Sequence, residues 1–416
     1  MAREMKDIGI EWIGEIPKDW TVRRLRYMCN IATGNQDTQD NDPGGQYPFY
    51  VRSPIVEKSN KYTFEGPAIL MSGDGVGAGR IFHMVDGKYG CHQRVYSIQD
   101  IRGIDRRVLF HYMSNLFWIM IETANSKSTV DSVRLNMLQD FPVLVPPKEE
   151  QEKLSRCLRD TVSRIDDIIF KTHASIEEYK KLKQAVITQA ITKGVRGNRE
   201  MKDSGIEWIG EIPADWEVVK MKNLGKCRNG LTYSPDNLVS KEEGTLVLRS
   251  SNIKDGKLSF VDNVYVNSEI KDDLMVEAGD ILICSRNGSR ALIGKNALIP
   301  EDLNASFGAF MMIFRCQAPK YVQMILNSAV FSYYLGTFLT STINQLTADN
   351  FNNMKIVYCG DKFEQKEITD YLDKKCSEID TLITKKEQII VELENYKKSV
   401  IYEYVTGKKE VPETWV

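Results

Sequence analysis

Arg286-Asn287-Gly288-Ser289-Arg290 gathers two guanidinium groups, a carboxamide and a hydroxyl around one glycine. Arginine can pair bidentately with guanine and asparagine with adenine in a major groove, while serine can bind phosphate. Arg249-Ser250-Ser251-Asn252 and Thr342-Ile343-Asn344-Gln345 have the same character, and Lys295 adds a cation nearby in sequence. Earlier in the chain, Arg52-Ser53, the glycine-rich stretch 73–80 with Asp74 and Arg80, His92-Gln93-Arg94 and Lys127-Ser128-Thr129 form a matching set. Any one of these alone reads as a solvated loop. Several within one module make contact with a nucleic acid the expectation.

Other chemistries fit less well. Gly73-Asp74-Gly75-Val76-Gly77-Ala78 matches G-x-G-x-x-A, but residues 80–85 read as a strand, not the helix a dinucleotide site needs. Gly288 to Lys295 has the wrong spacing for a P-loop and no Ser or Thr after the lysine. Pro235-Asp236 with Asp255-Gly256-Lys257 resembles a nuclease metal site only loosely, a pattern that chance supplies in chains of this length. The eight cysteines include no CxxC pair, so no zinc or dithiol site is expected, and reduced, partly buried thiols are.

Those loops need a scaffold, and the scaffold is written twice. MKDIGIEWIGEIPKDW (5–20) returns as MKDSGIEWIGEIPADW (201–216) with fourteen of sixteen letters unchanged. A second pair follows at an offset of 214: Glu150-Gln151 meets Glu364-Gln365, Ile165-Asp166 meets Ile379-Asp380, and Val186-Ile187 meets Val400-Ile401. Each unit is therefore a hook, a globular part and a long helix. The closing Glu410–Trp415 echoes Glu211–Trp216, as in a closed pseudo-symmetric object. A period near 200 residues marks duplicated domains, not a solenoid.

The helices are expected over 148–193 and 362–407. Leu158, Val162, Ile165, Ile169, Thr172, Ile176, Tyr179, Leu182 and Val186 step by threes and fours, as do Leu372, Cys376, Ile379, Ile383, Ile390, Leu393, Tyr396 and Val400. That spacing predicts a coiled-coil-like seam, each helix spanning ~68 Å. Pro146-Pro147 suits the first helix start and Gly194 a C-cap. In the hooks, Trp12, Ile13, Ile16 and Trp20 are apolar, but Gly14 and Pro17 break any helix. An extended segment pinning its tryptophans against a helix end is expected. Residues 21–146 and 217–360 read as mixed α/β modules, with short strands such as 245–248 and 311–314 and helical stretches at 108–113 and 321–326. At an offset of 213, Ala68–Gly75 lies on Ile281–Gly288, which puts Asp74 on Asn287.

Hook, PPKEEQ helix start (Pro146–Gln151) and doubled layout together resemble the specificity subunit of type I restriction-modification systems. The fold class this implies is α+β: two mixed α/β target recognition domains separated by two long antiparallel coiled-coil helices in a pseudo-twofold tandem repeat. The expected division is 1–147, hook and first recognition domain; 148–196, central helix; 197–361, second hook and domain; and 362–416, C-terminal helix and tail. The resemblance implies a non-catalytic, cytoplasmic subunit. Each domain would read one half of a bipartite double-stranded DNA target, and the helices would fix the spacing. Two modification (methyltransferase) subunits would dock on the helices for adenine N6 methylation, and restriction subunits would add ATP-dependent cleavage. No cofactor is implied on this chain: S-adenosylmethionine would sit on the methyltransferase partner, ATP and Mg on the restriction partner. The Asn/Asp-Pro-Pro-Tyr tetrapeptide of the family's methyltransferases does not occur here.

The second helix start, Cys359-Gly360-Asp361-Lys362-Phe363-Glu364-Gln365, keeps only Glu-Gln and so predicts a weaker beginning. Charge gives no DNA signature by itself: 14 basic against 12 acidic residues in 21–146, 15 against 14 in 217–360. A coiled-coil assembly scaffold whose modules bind protein is the other reading. No apolar run approaches the ~20 residues of a membrane helix, and the first seven residues lack the apolar region of a signal peptide.

Overall fold

The computed structural model describes residues 3–124, 132–339 and 344–412. Lys127, Ser128, Thr129 and Thr342 lie outside them. The chain divides into two compact units, one running up to His173 and resuming at Glu387, the other running from Ala174 to Lys386.

In the first unit the hook is a two-stranded ribbon, Met5–Asp7 antiparallel to Glu15–Pro17. Ile13, Ile16 and Trp20 are buried, and Trp12 stacks on Phe141 with ring centroids 6.0 Å apart. The chain then forms Thr21–Arg24, antiparallel to Pro142–Val145. Between these strands lie two four-stranded sheets. The first is antiparallel, in the order Asn30–Thr33, Val95–Gln99, Ala68–Ser72, Phe82–Val85. Ala68–Ser72 is buried at all five positions, as an apolar run covered on both faces should be. The second has the order Glu57–Ser59, Tyr47–Tyr50, Lys88–Cys91, Phe64–Glu65, and its central pair is parallel.

The second unit repeats this plan. Met201–Asp203 pairs with Glu211–Pro213, and Glu217–Lys220 with Lys355–Tyr358. The antiparallel sheet runs Gly225–Asn229, Met311–Cys316, Ile281–Cys284, Asn296–Leu298. The mixed sheet runs Leu238–Val239, Tyr265–Val266, Thr245–Leu248, Ala305–Phe307, again with one parallel pair. Where the first module has one helix, Arg106–Ala124, the second has two, Pro319–Leu326 and Ala329–Phe338.

One glycine explains why the loop after the central strand folds back in both modules. Gly79 (φ 60°) donates its amide to the Ser72 carbonyl, and Gly294 (φ 84°) donates to Cys284. A Cβ on Gly79 would lie 2.2 Å from the Ile121 side chain, and one on Gly294 2.4 Å from Leu335. The loop can therefore press against its helix only without a side chain. These bonds also correct the register between the modules. Ser72 matches Cys284, so the offset is 212 rather than 213, and Asp74 lies on Arg286 instead of Asn287. Letter matching missed the slip because Ser72 and Gly75 coincide with Ser285 and Gly288 at an offset of 213.

The long helices are Lys148–Lys193 and Lys362–Val405. In the first unit Asp166 pairs with Lys397 at 2.6 Å, and Cys157 lies against Tyr404. In the second, Lys183 pairs with Asp380 at 2.7 Å, and Lys386 lies over the Tyr179 ring. Within each unit, rising numbers on one helix meet falling numbers on the other, so the segments are antiparallel. The expected seam needs two corrections: Leu182 is 48% exposed and Tyr396 55%. Their neighbours Lys183 and Lys397 are less exposed, at 32% and 30%, and each pairs with an aspartate of the facing helix at the edge of the seam. The second helix does not start weakly either. Asp361 Oδ1 accepts the Phe363 amide at 2.9 Å, an N-cap that replaces the prolines.

The repeated Glu-Gln is the joint between helix and hook. Glu150 accepts two hydrogen bonds from Arg3, at 2.6 and 2.7 Å, and one from the Trp20 indole at 2.8 Å. Glu364 does the same for Arg199 and Trp216. Gln151 donates to the Pro146 carbonyl at 2.8 Å, and Gln365 to Cys359 at 2.7 Å. Beside the first hook, Gly407–Glu410 lines one cleft with Arg3, Met5 and Glu15; of the expected echo Glu410–Trp415, residues 413–415 lie outside the described residues.

The eight cysteines are free, and all are buried or half-buried. Burial pushes the Cys29, Cys91, Cys227 and Cys359 thiols up to about 12, so they are poor nucleophiles. Burial likewise holds His111 down to about 4, with Arg107 and Lys397 adding to the effect and Asp166 opposing it. The unfolded chain takes up this proton near pH 6.5, so between the two values the unfolded state binds more protons. Stability present above pH 6.5 is expected to fall by up to about 3 kcal/mol as pH drops toward 4. Urea midpoints of the wild type and His111→Gln across pH 4–7 test this; equal slopes would rule His111 out as the source.

Candidate nucleic-acid interface

In the first module the loops after three strands meet at Asp74. Its carboxylate accepts from Arg52 Nη1 at 3.1 Å and lies 3.7 Å from Arg94 Nε. The Gly73 amide donates to the Arg94 carbonyl, and Asp74 forms an isolated bridge with Ser132. Arg52 and Arg94 are both exposed. Sequence order placed these residues 22 and 20 positions apart; the antiparallel sheet with its parallel neighbour brings them together.

Several other expected residues serve the loops themselves. His92 is buried, with Nδ1 accepting the Arg94 amide at 3.0 Å and Nε2 3.3 Å from Asp37. Gln93 donates to Asp37 at 3.3 Å. The Ser53 hydroxyl accepts the Ile55 amide at 3.1 Å in a tight turn. Arg80 points to Glu122 on the helix, 3.3 Å away, and is not part of the Asp74 cluster.

The second module builds the corresponding cluster from different groups. Arg286 bridges Gln345, as Asp74 bridges Ser132. Its guanidinium lies over the Phe310 ring, 5.4 Å from the centroid. Phe310 is 59% exposed, which is unusual for a large aromatic side chain. Asn287 donates to the Ser250 hydroxyl at 3.2 Å and accepts the Ser289 amide at 2.9 Å, so its carboxamide is fixed in orientation. Lys295 reaches the Ser250 carbonyl at 3.5 Å. Arg249 is paired with Asp262 at 2.9 Å, and Arg290 reaches the Gly336 carbonyl at 3.5 Å. Asn252 is fully buried and bonded to Ser259 and Asn263, holding the loop shape. Asn344 is half-buried beside exposed Gln345.

Phe310 was not singled out from sequence. It stands directly before the apolar run Met311–Phe314 and reads there as one more strand residue. The loose nuclease pattern is dispersed. Asp236 belongs to a short 3-10 turn capped by Ser234, and Asp255 sits at φ 51° in a hairpin turn. Among the described residues no group of three or more His, Cys, Asp or Glu is placed to hold a metal ion. Residues 80–85 lead into the strand Phe82–Val85, as expected. No described helix is long and apolar enough to cross a membrane.

Two copies of one module, each displaying polar loops at the ends of its central strands, define a duplicated recognition protein. Residues 17–178 and 213–395 each match the type I restriction modification DNA specificity domain, and the chain belongs to that family. Over 94% of its length it is 26% identical to the type I restriction enzyme MjaVIII specificity subunit of Methanocaldococcus jannaschii, covering 93% of that protein. It is also 26% identical to the EcoDI specificity subunit of Escherichia coli, over 62% of this chain and 63% of that one. A chain solved in work on complex assembly and conformational transition of the type I R-M system shares the fold, with a TM-score of 0.69 at 15% identity. That match covers 95% of this chain and 99% of the other.

Proposed function

We propose that this chain is the DNA-recognition subunit of a type I restriction-modification complex, with each module reading one half of a split target. The observation that carries this is the pair of clusters. The same three loops converge in both modules, on the same backbone bonds, with different side chains at the reading positions. The base contacts are assigned to Arg52 and Arg94, which meet at Asp74, with their loops, and to Ser250, Arg286, Asn287 and Gln345.

The chain itself carries out no chemistry in this reading. Methylation of adenine would belong to modification subunits holding S-adenosylmethionine, and cleavage to restriction subunits using ATP and Mg. Two modification subunits fit the helices. Exposed apolar residues recur there at the repeat spacing of 214, Ile168 with Leu382 and Leu182 with Tyr396. Each unit thereby offers one residue of each pair to a partner. Helix length would set the number of base pairs between the half-sites.

The test uses the chain assembled with its methyltransferase partner on duplexes randomised in both halves. Arg286→Ala with Asn287→Ala is expected to relax one half by about 1–3 kcal/mol per lost base contact, leaving the other half read as before. Equal relaxation of both halves would overturn independent reading. Binding of protein but of no DNA would favour the assembly-scaffold alternative.

A further inference from the structure

The position held by an acid in one module is held by a base in the other. Asp74 and Arg286 occupy the same place: each follows its central strand by two residues and bridges the segment before a short helix. Their neighbours correspond as well. The Arg94 carbonyl accepts the Gly73 amide, and the Phe310 carbonyl accepts the Ser285 amide. One topological pair is thus a carboxylate with a guanidinium, Asp74 and Arg94, in the first module. In the second it is a guanidinium with an aromatic face, Arg286 and Phe310.

Both versions do the same physical job. Each ends in an exposed guanidinium with one side already occupied, by an acid or by a ring. A free arginine samples many rotamers, and its planar fork is useful for recognition only when aimed. A phosphate contact gains nothing from this. A carboxylate beside the arginines repels phosphate, and a ring beneath one adds no charge. Held guanidiniums are suited to two acceptors in a fixed plane, which on DNA means O6 and N7 of guanine.

We infer that this pair is the specificity-determining centre of each module. Asp74 is a positioning residue that aims Arg52 and Arg94, Phe310 is a positioning residue that aims Arg286, and each half-site contains a G·C pair read there. The inference rests on the DNA-reading function proposed above.

The complex of this chain with its methyltransferase partner is titrated with a library varied in both half-sites, at several salt concentrations. Asp74→Asn is expected to lower the preference for one G·C pair in the first half about ten-fold. Affinity for unrelated duplex should hold or rise, and the salt slope should not change, because no phosphate contact is lost. Asp74→Glu should recover part of the preference. Phe310→Leu should produce the same loss in the second half only, and Phe310→Tyr, which keeps the ring face, should restore it. A uniform loss across all sequences, or a shallower salt slope, would make these residues structural or phosphate-binding and overturn the inference. So would unchanged preference in both variants. If the wild-type complex shows no sequence preference at all, it is the proposed function that fails.

Discussion

Replacing Trp216 with alanine is expected to cost the second unit about 3–5 kcal/mol, the range for a fully buried aromatic side chain. Its ring is inaccessible, its indole N–H donates to Glu364 at 3.3 Å, and the Arg199 guanidinium lies over it at 5.5 Å. Trp208, in the same hook, should cost only about 1 kcal/mol. It is 36% exposed and stacks by one face on Tyr333, 4.4 Å away. The first hook should show the same order, with Trp20 above Trp12. Urea unfolding followed by circular dichroism separates the two, and equal losses for Trp208→Ala and Trp216→Ala would contradict this anchoring. Neither substitution should alter the DNA sequence recognised.

Glu364→Ala should be as damaging, at about 3–5 kcal/mol. The carboxylate is wholly buried and faces Arg199, whose side chain is only 16% exposed. Removing the acid leaves the fully buried Trp216 indole N–H without an acceptor and Arg199 with Asp215 as its remaining carboxylate. Glu364→Gln keeps one acceptor and should lose less. Glu150, whose side chain is 20% exposed, should be the milder site, because water can replace part of what is lost. The same unfolding experiment on both alanine variants decides it. A larger loss at Glu150 would mean that burial does not govern these joints.

The long helices were legible because spacing by threes and fours from Leu158 to Val186 is a strong signal, and Lys148–Lys193 begins after Pro146-Pro147 and ends before Gly194 as those residues predict. Seam membership was less legible. Apolar type alone put Leu182 and Tyr396 inside, whereas both are exposed and the adjacent Lys183 and Lys397 pair across the edge of the seam. Of the second mixed sheet only 245–248 was legible, since strands such as Leu238–Val239 and Tyr265–Val266 are too short to show an alternating pattern. For the site, loop composition named the right kinds of residue, but which of them meet depends on sheet register. One residue of slip moves Asp74 from Asn287 to Arg286 and changes the chemistry being compared. Phe310 escaped because exposure is set by the end of a sheet, which no local pattern encodes.

Thr21–Arg24 and Pro142–Val145 are neighbours in one ladder, as are Glu217–Lys220 and Lys355–Tyr358. Each module is therefore inserted through two points about 5 Å apart, the spacing of paired strands. The stretch 25–141 could be exchanged for another fold of the same plan that kept the Phe141 ring under Trp12 and the 103–105 turn on Gln151. Target preference becomes an inheritable cassette. A lineage that recombined at these strands would exchange a whole module in one event.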